Sequence, residues 1–98
     1  MRRTANGAPR DNGVVIVELR AVPDCPNLDA ARELLRSCLG AAGLPDDAFV
    51  ERIGEYPSPS IVVDGVDVTG ADPDGPAMCV LQPPTRAQIL IALRRPRA

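Results

Sequence analysis

The chain has 98 residues, a formal net charge of −2 and no histidine. This length allows one domain, and an apolar share of 45 % is enough to build its core. The missing histidine excludes Ser-His-Asp and Cys-His catalysis, and the low charge gives no broad basic surface for nucleic acid. All eleven basic residues are arginine, which also excludes a lysine Schiff base and a P-loop.

The ends of the chain are predicted to be tails around this domain. Residues 1–13 are polar and lack the apolar run of a signal peptide, so we expect a disordered amino-terminal arm. Residues 14–95 form the predicted domain, and residues 96–98 form a short tail. No apolar run approaches the length needed to span a bilayer, about 20 residues. We therefore expect a cytoplasmic protein whose partners include neither a membrane nor a nucleic acid.

A strand and a helix come first in the domain. Residues 14–19, Val-Val-Ile-Val-Glu-Leu, are nearly all apolar, as expected of a central strand that is buried on both faces. Apolar residues then recur at steps of three and four from Leu28 onward, which predicts a helix. Pro26 suits the first helical position and leaves Cys25 at the cap. The helix has two candidate ends, Gly40 and Gly43.

A second strand and a hairpin follow. Residues 49–53 alternate in part and predict a short strand, which the run Tyr-Pro-Ser-Pro at residues 56–59 interrupts. Two β-branched segments, residues 60–63 and 66–68, flank the pair Asp64-Gly65. This pair is the signal for a hairpin with a type I′ turn.

The last part of the chain combines an irregular loop with a helix. Residues 70–84 contain four prolines and two glycines, so we expect no regular structure there. Thr85 and Gln88 form a capping-box pattern at the start of a helix that ends before Pro96. The order strand, helix, strand, hairpin, helix predicts a compact α/β fold. A parallel strand pair and the hairpin would make one mixed sheet, with the helices packed on it.

The motif Pro-Asp-Cys-Pro-Asn, residues 23–27, places a thiol where the first strand leads into the helix. A helix start is exposed and electropositive, which favours thiol chemistry at Cys25. A Ser-Pro-Ser segment at residues 58–60 and a later cysteine, Cys79, accompany the motif. Together they resemble the small bacterial thioredoxin-like proteins with this motif. Over residues 14–95, the resemblance implies a thioredoxin-like β-α-β-β-β-α fold.

The resemblance also implies roles for particular residues. Cys25 would be the catalytic thiol, and Pro59 would follow a cis peptide bond and face it. The backbone of Ser58 would bind an extended peptide or thiol ligand. Asp24 and Pro26, which flank the thiol, complete the expected substrate-binding set.

The chain departs from the thioredoxin pattern in two ways. The segment between residues 53 and 59 is too short for the middle helix of a full thioredoxin. Leu28 stands where the second cysteine of the redox pair would be. Cys79 therefore becomes the candidate second catalytic thiol.

The three cysteines have different expected roles. Cys25 is either a reactive thiol or an inert residue of the motif, because Asp24 and Asp29 lie near it and disfavour a thiolate. Cys38 falls on the apolar stripe of the helix and is predicted to be a buried core residue. Cys79 is the candidate partner of Cys25. An odd number of cysteines argues against a secreted disulfide framework.

Three functional hypotheses remain open. The first is thiol-disulfide redox activity through Cys25 on a small thiol or a protein disulfide, with Cys79 resolving the intermediate. The second is a non-enzymatic module that binds a protein by strand addition at Pro59 or the hairpin edge. The third follows from a link by name between similar proteins and alkylmercury lyases. Cys25 and Cys79 would then hold mercury or an organomercurial, with Asp24 as the acid. The acidic and cysteine spacings match no calcium or zinc site, so we expect no resident metal and no cofactor.

Overall fold

The computed structural model describes residues 15–79 and 83–95 of the chain. Its elements in chain order are β1 (Val17–Ala21), α1 (Leu28–Ala41), β2 (Val50–Ile53), β3 (Pro57–Ser58), β4 (Ser60–Val63), β5 (Val66–Asp67), β6 (Met78–Cys79) and α2 (Arg86–Arg94). The predicted arm at residues 1–13 and the tail at residues 96–98 lie outside the described residues. Neither helix in the described part is long and apolar enough to cross a bilayer.

Four strands form one mixed sheet, as the sequence predicts. Their order is β2-β1-β4-β5, in which β1 runs parallel to β2 and antiparallel to β4. The hairpin joins β4 to β5 in antiparallel pairing, and α1 is the crossover between the two parallel strands. The described part of the chain is therefore an α/β fold with two helices and a mixed four-stranded sheet.

A second, two-stranded ladder is not predicted by the sequence. β3 and β6 pair in parallel, with Ser58 opposite Cys79. Residues 57–58, within the stretch predicted to interrupt a strand, form a strand of their own. Residues 78–79, within the loop predicted to be irregular, form another. Strands of two residues are too short to show an alternating pattern, so the sequence carries no periodic signal for either of them.

β1 begins and ends later than the predicted strand at residues 14–19. Its odd-numbered residues are buried on one face of the sheet, while Glu18 and Arg20 are half-buried on the other. The strand is central, as predicted, but the prediction that it is an apolar strand buried on both faces is wrong. Its two charged side chains can occupy the second face because they form an ion pair with each other.

One face of the sheet and both helices enclose the hydrophobic core. The largest buried side chains of this core are Leu19, Leu35, Leu39, Ile61 and Ile89. Burying an aliphatic side chain of this size contributes roughly 1.5–3 kcal/mol. Because α1 and α2 contact each other as well as the sheet, they form one layer on this face.

The end of α1 is set by Gly43, one of the two predicted stop positions. Gly43 has a φ of 80°, a conformation that glycine adopts without steric cost. The Leu44 N–H donates to the Leu39 carbonyl at 2.8 Å, and the Gly43 N–H donates to the Gly40 carbonyl at 3.1 Å. This pair of bonds is a Schellman motif, which satisfies carbonyls that the helix leaves free.

The predicted hairpin and the predicted cap of α2 are both confirmed. Asp64 and Gly65 have φ values of 52° and 84°, and a type I′ turn needs positive φ at both positions. At the start of α2, the Gln88 N–H donates to Thr85 Oγ1, and the Thr85 N–H donates to the Gln88 side chain. The helix ends at Arg94, before Pro96, as predicted.

Candidate functional site

Cys25 is half-buried in the turn between β1 and α1, residues 22–27, which we call the thiol turn. The Leu28 N–H donates to the Cys25 carbonyl at 3.2 Å, and the first bond of the helix runs from the Ala31 N–H to the Asn27 carbonyl. The N-cap is therefore Asn27. The prediction that Pro26 starts the helix with Cys25 at its cap is wrong, because residues 25–28 form a separate turn.

This shift weakens the electrostatic argument for a reactive thiol. Cys25 lies two residues before the N-cap, and the effect of a helix dipole falls off within one turn. Asp24 has a φ of 58°, a left-handed conformation that aspartate adopts more readily than most residues. The chain thus bends sharply just before the thiol, and the position of Cys25 is set by this bend rather than by the helix.

The acidic residues near Cys25 differ in their surroundings. Arg32 Nη1 binds Asp29 at 2.6 Å, and the same guanidinium binds both carboxylate oxygens of Glu51 at 2.8 and 2.9 Å. The hydrogen bond from Arg32 lowers the pKa of Glu51, and Glu51 and Asp29 together raise the pKa of Arg32. The charge of Asp29 is therefore balanced within α1. Asp24, which is exposed, is the acidic residue directly beside the thiol.

The register of the sheet brings Pro59 to the end of β1 from which the thiol turn leaves. Arg20 pairs with Ser60, so continuing the antiparallel pairing places Pro59 beside Ala21, the last residue of β1. The peptide bond between Ser58 and Pro59 is cis, as the resemblance implies. Both of these residues are buried.

Ser58 carries a hydroxyl group with an unused hydrogen-bonding capacity. Its Oγ is buried and has no hydrogen-bond partner among the described residues, whereas Ser60 Oγ donates to the Pro57 carbonyl at 2.7 Å. A buried polar group left without a partner costs roughly 1–3 kcal/mol. The Ser58 side chain is almost fully enclosed, so only its backbone has the ligand-binding role that the resemblance implies.

A cavity of about 170 Å³ joins the start of α1 to Pro59. Its lining residues are Asn27, Ala30, Ala31, Leu34, Pro59, Ile61, Pro83 and Pro84. All except Asn27 are apolar, so the cavity suits an apolar group of a ligand. The spacing of Ala30 and Leu34 along α1 could have identified the helical wall, but no sequence pattern shows the path that brings Pro83 and Pro84 to the site.

Cys79 approaches this region through its backbone. It lies opposite Ser58 in the β3–β6 ladder, and Ser58 is the residue directly before Pro59 in the chain. The structure therefore brings three of the predicted site residues together at one end of the sheet, Ser58, Pro59 and the backbone of Cys79. Asp24 and Pro26 are exposed in the thiol turn and do not line the cavity.

Cys38 is a core residue, as predicted. It is fully buried on α1, and its Sγ donates to the Arg86 carbonyl at 3.9 Å. Burial raises the pKa of the Cys38 thiol because the thiolate would lose its solvation. A thiol that is enclosed and held neutral is unsuited to disulfide exchange.

The part of the chain that the structure describes contains no group of three or more cysteine, histidine or acidic side chains able to hold a metal ion.

Comparisons of the chain with protein-family models, with curated proteins and with solved structures found no match.

Proposed function

We propose that the chain is a thioredoxin-like protein that exchanges disulfides through Cys25. The observation that carries this proposal is the convergence of the thiol turn, the Ser58-Pro59 segment and an apolar cavity at one end of the sheet. A half-buried thiol two residues from Asn27, which lines the apolar cavity, can meet a disulfide whose neighbouring groups occupy that cavity. The mixed sheet with both helices on one face is compatible with the fold that the motif resembles.

The proposed reaction has two steps. The Cys25 thiolate attacks one sulfur of a substrate disulfide, forms a mixed disulfide and releases the other sulfur as a thiolate, which takes up a proton. A second thiolate then attacks the Cys25 sulfur and releases the remaining substrate thiolate. When the second thiol is Cys79, the protein ends with a Cys25–Cys79 disulfide and the substrate is reduced by two electrons.

Cys79 is the proposed second thiol because of its place in the fold. Its backbone lies opposite Ser58, beside the segment that approaches the end of β1. The position that holds the second cysteine in the thioredoxin pattern is Leu28 in this chain. The substrates proposed are small-molecule or protein disulfides, and the apolar lining of the cavity favours those with an apolar group beside the disulfide.

Oxidised glutathione provides a direct test, with intact mass and peptide mapping as the readout. We expect the parent chain to pass to an internal Cys25–Cys79 disulfide and to retain no glutathione. The Cys79→Ser variant should stop at one glutathione attached to Cys25, and the Cys25→Ser variant should react far more slowly. Cys38→Ala is the matched control and should behave as the parent, because the Cys38 thiol is buried. A Cys25→Ser variant that reacts as fast as the parent would refute the proposal.

The cavity also supports a second candidate function, a module that binds an extended peptide without chemistry. A peptide could place an apolar side chain in the cavity while its backbone runs along Ser58. This function predicts that Cys25→Ser leaves binding to a panel of extended apolar peptides intact, while Ala30→Phe, which fills the cavity, abolishes it. Loss of all binding in the Cys25→Ser variant would count against the module.

A further inference from the structure

The face of the sheet opposite the helices carries Arg20, a nearly buried cation. Its side chain is 15 % exposed. Nε donates to Glu18 at 2.7 Å, and Nη1 donates to the carbonyl of Pro73 at 3.2 Å. The guanidinium also lies 5.1 Å from the centre of the Tyr56 ring, within the range of a cation–π contact. A single side chain on β1 therefore contacts two other segments of the chain.

These two segments are the ones that lead into the β3–β6 ladder. Tyr56 directly precedes β3, and Pro73 lies in the loop that precedes β6. Gly75 in the same loop lies close to β3, since a Cβ added there would be 3.7 Å from the ring of Pro57. The loop is thus bonded to Arg20 on the side of the sheet and lies beside β3 on the side of the ladder.

The bond to the Pro73 carbonyl is the contact that anchors the loop. Charge-assisted hydrogen bonds are stronger than neutral ones, and this one is largely shielded from solvent. The approach of Arg20 to Asp74, at 3.9 Å, adds little because the Asp74 side chain is 91 % exposed. Glu18 also binds Arg52, at 3.4 Å, so it keeps a cation when Arg20 is replaced.

We propose that Arg20 is a positioning residue that holds β6, and with it Cys79, beside Ser58. β6 has two residues, so the ladder alone gives it few hydrogen bonds. The consequence for chemistry rests on the proposed function, in which Cys79 attacks the mixed disulfide at Cys25. An anchored β6 raises the effective concentration of the second thiol at the first.

The test uses the full chain and an aromatic disulfide, dithiobis(nitrobenzoate), as the probe. Attack by the Cys25 thiolate forms a mixed disulfide and releases one coloured nitrothiobenzoate. Attack by the Cys79 thiolate on the Cys25 sulfur then releases the second nitrothiobenzoate and leaves an internal disulfide. With one equivalent of the probe, which leaves little for a direct reaction at Cys79, the first release reports on attack by Cys25, whereas the second depends on where Cys79 is held. Amide hydrogen exchange in β6 measures the anchor without any thiol chemistry.

In the Arg20→Gln variant, the second release should slow about tenfold because a charge-assisted hydrogen bond is lost, while the first stays unchanged. Amides of β6 should exchange faster, and those of β1 and α1 should not. Arg20→Lys keeps the charge and a donor nitrogen, so it should recover part of the rate of the second release. Arg52→Gln is the matched control, since it removes the other cation at Glu18 and should change neither release.

Two results would overturn the role of Arg20. One is an unchanged second release together with unchanged exchange in β6. The other is faster exchange throughout β1 and α1 as well, which would indicate general destabilisation. If the parent chain shows no second release, the proposed pairing of Cys25 with Cys79 is wrong. Amide hydrogen exchange in β6 of the Arg20→Gln variant then tests by itself whether Arg20 anchors β6.

Discussion

At the scale of single residues, burial separates the two cysteines whose side chains the structure describes. Cys38 is enclosed by the core, where a thiolate would lose its solvation, and Cys25 is half-buried in the thiol turn. Thiolates, and not thiols, attack disulfides, so access and ionisation decide which cysteine reacts. Of these two residues, Cys25 is the one accessible enough for the proposed disulfide exchange.

The buried Cys38 thiol should make the protein less stable at alkaline pH. Burial raises its pKa in the folded chain above the ordinary value of 9.0, so the unfolded chain loses this proton first as the pH rises. The stabilisation is fully present below pH 9.0 and is lost as the pH rises through the folded-state pKa. Urea unfolding on both sides of that pH measures the slope, which one group limits to about 1.4 kcal/mol per pH unit. Cys38→Ala should flatten the slope, and an identical slope in parent and variant would contradict this expectation.

Two glycines should respond in opposite directions to the same substitution. Gly65 has a φ of 84°, so Gly65→Ala should destabilise the protein by about 1 kcal/mol. Gly40 lies within α1, and an added Cβ there meets nothing within 4 Å. Gly40→Ala should therefore stabilise the protein by about 0.5–1 kcal/mol. Both effects can be measured by urea unfolding. A Gly65→Ala variant as stable as the parent would refute the assignment of the hairpin turn, and a destabilised Gly40→Ala variant would contradict the expectation for α1.

At the scale of elements, the two helices begin in different ways. The N-cap of α1, Asn27, makes no side-chain capping bond, whereas α2 has a complete capping box between Thr85 and Gln88. The start of α1 therefore depends on the turn that precedes it, which is the turn that carries Cys25. The start of α2 depends on its own two side chains.

Removing the capping box should destabilise α2. Thr85→Ala leaves the Gln88 N–H without its acceptor and should lower the free energy of unfolding by about 1 kcal/mol. Thr85→Ser keeps the hydroxyl and is the matched control, with little change expected. Chemical unfolding of the two variants side by side measures the difference, and equal stability of both would show that the capping bond contributes nothing.

At the scale of the whole molecule, the helices cover one face of the sheet. On the other face, Arg20 donates a hydrogen bond to the loop before β6. The first arrangement follows from local signals in the sequence. Helical periodicity, the Asp64-Gly65 pair and the Thr85 cap each act over a few residues, and each predicted its element. Non-local contacts leave no such pattern. Arg20 and Pro73 are 53 positions apart, and no sequence pattern near either residue predicts the hydrogen bond between them.

The same difference between local signals and non-local contacts applies to the candidate site. Short motifs make Cys25, Ser58 and Pro59 candidates, and the register of the sheet brings their segments to one end. The start of α1 was misplaced because a proline suits both the first helical position and a turn just before the cap. The cavity, and the Ser58 hydroxyl without a partner among the described residues, depend on packing between distant segments, which sequence alone does not show.

Competitive alkylation of the folded protein tests the role of Cys25 most directly. With limiting iodoacetamide and peptide mapping, we expect Cys25 to be labelled at least about tenfold faster than Cys38, because Cys25, unlike Cys38, is accessible without opening of the fold. In denaturant the two should be labelled at similar rates, which controls for intrinsic differences between the peptides. Equally slow labelling of Cys25 and Cys38 in the folded protein would contradict a thiol function at this site.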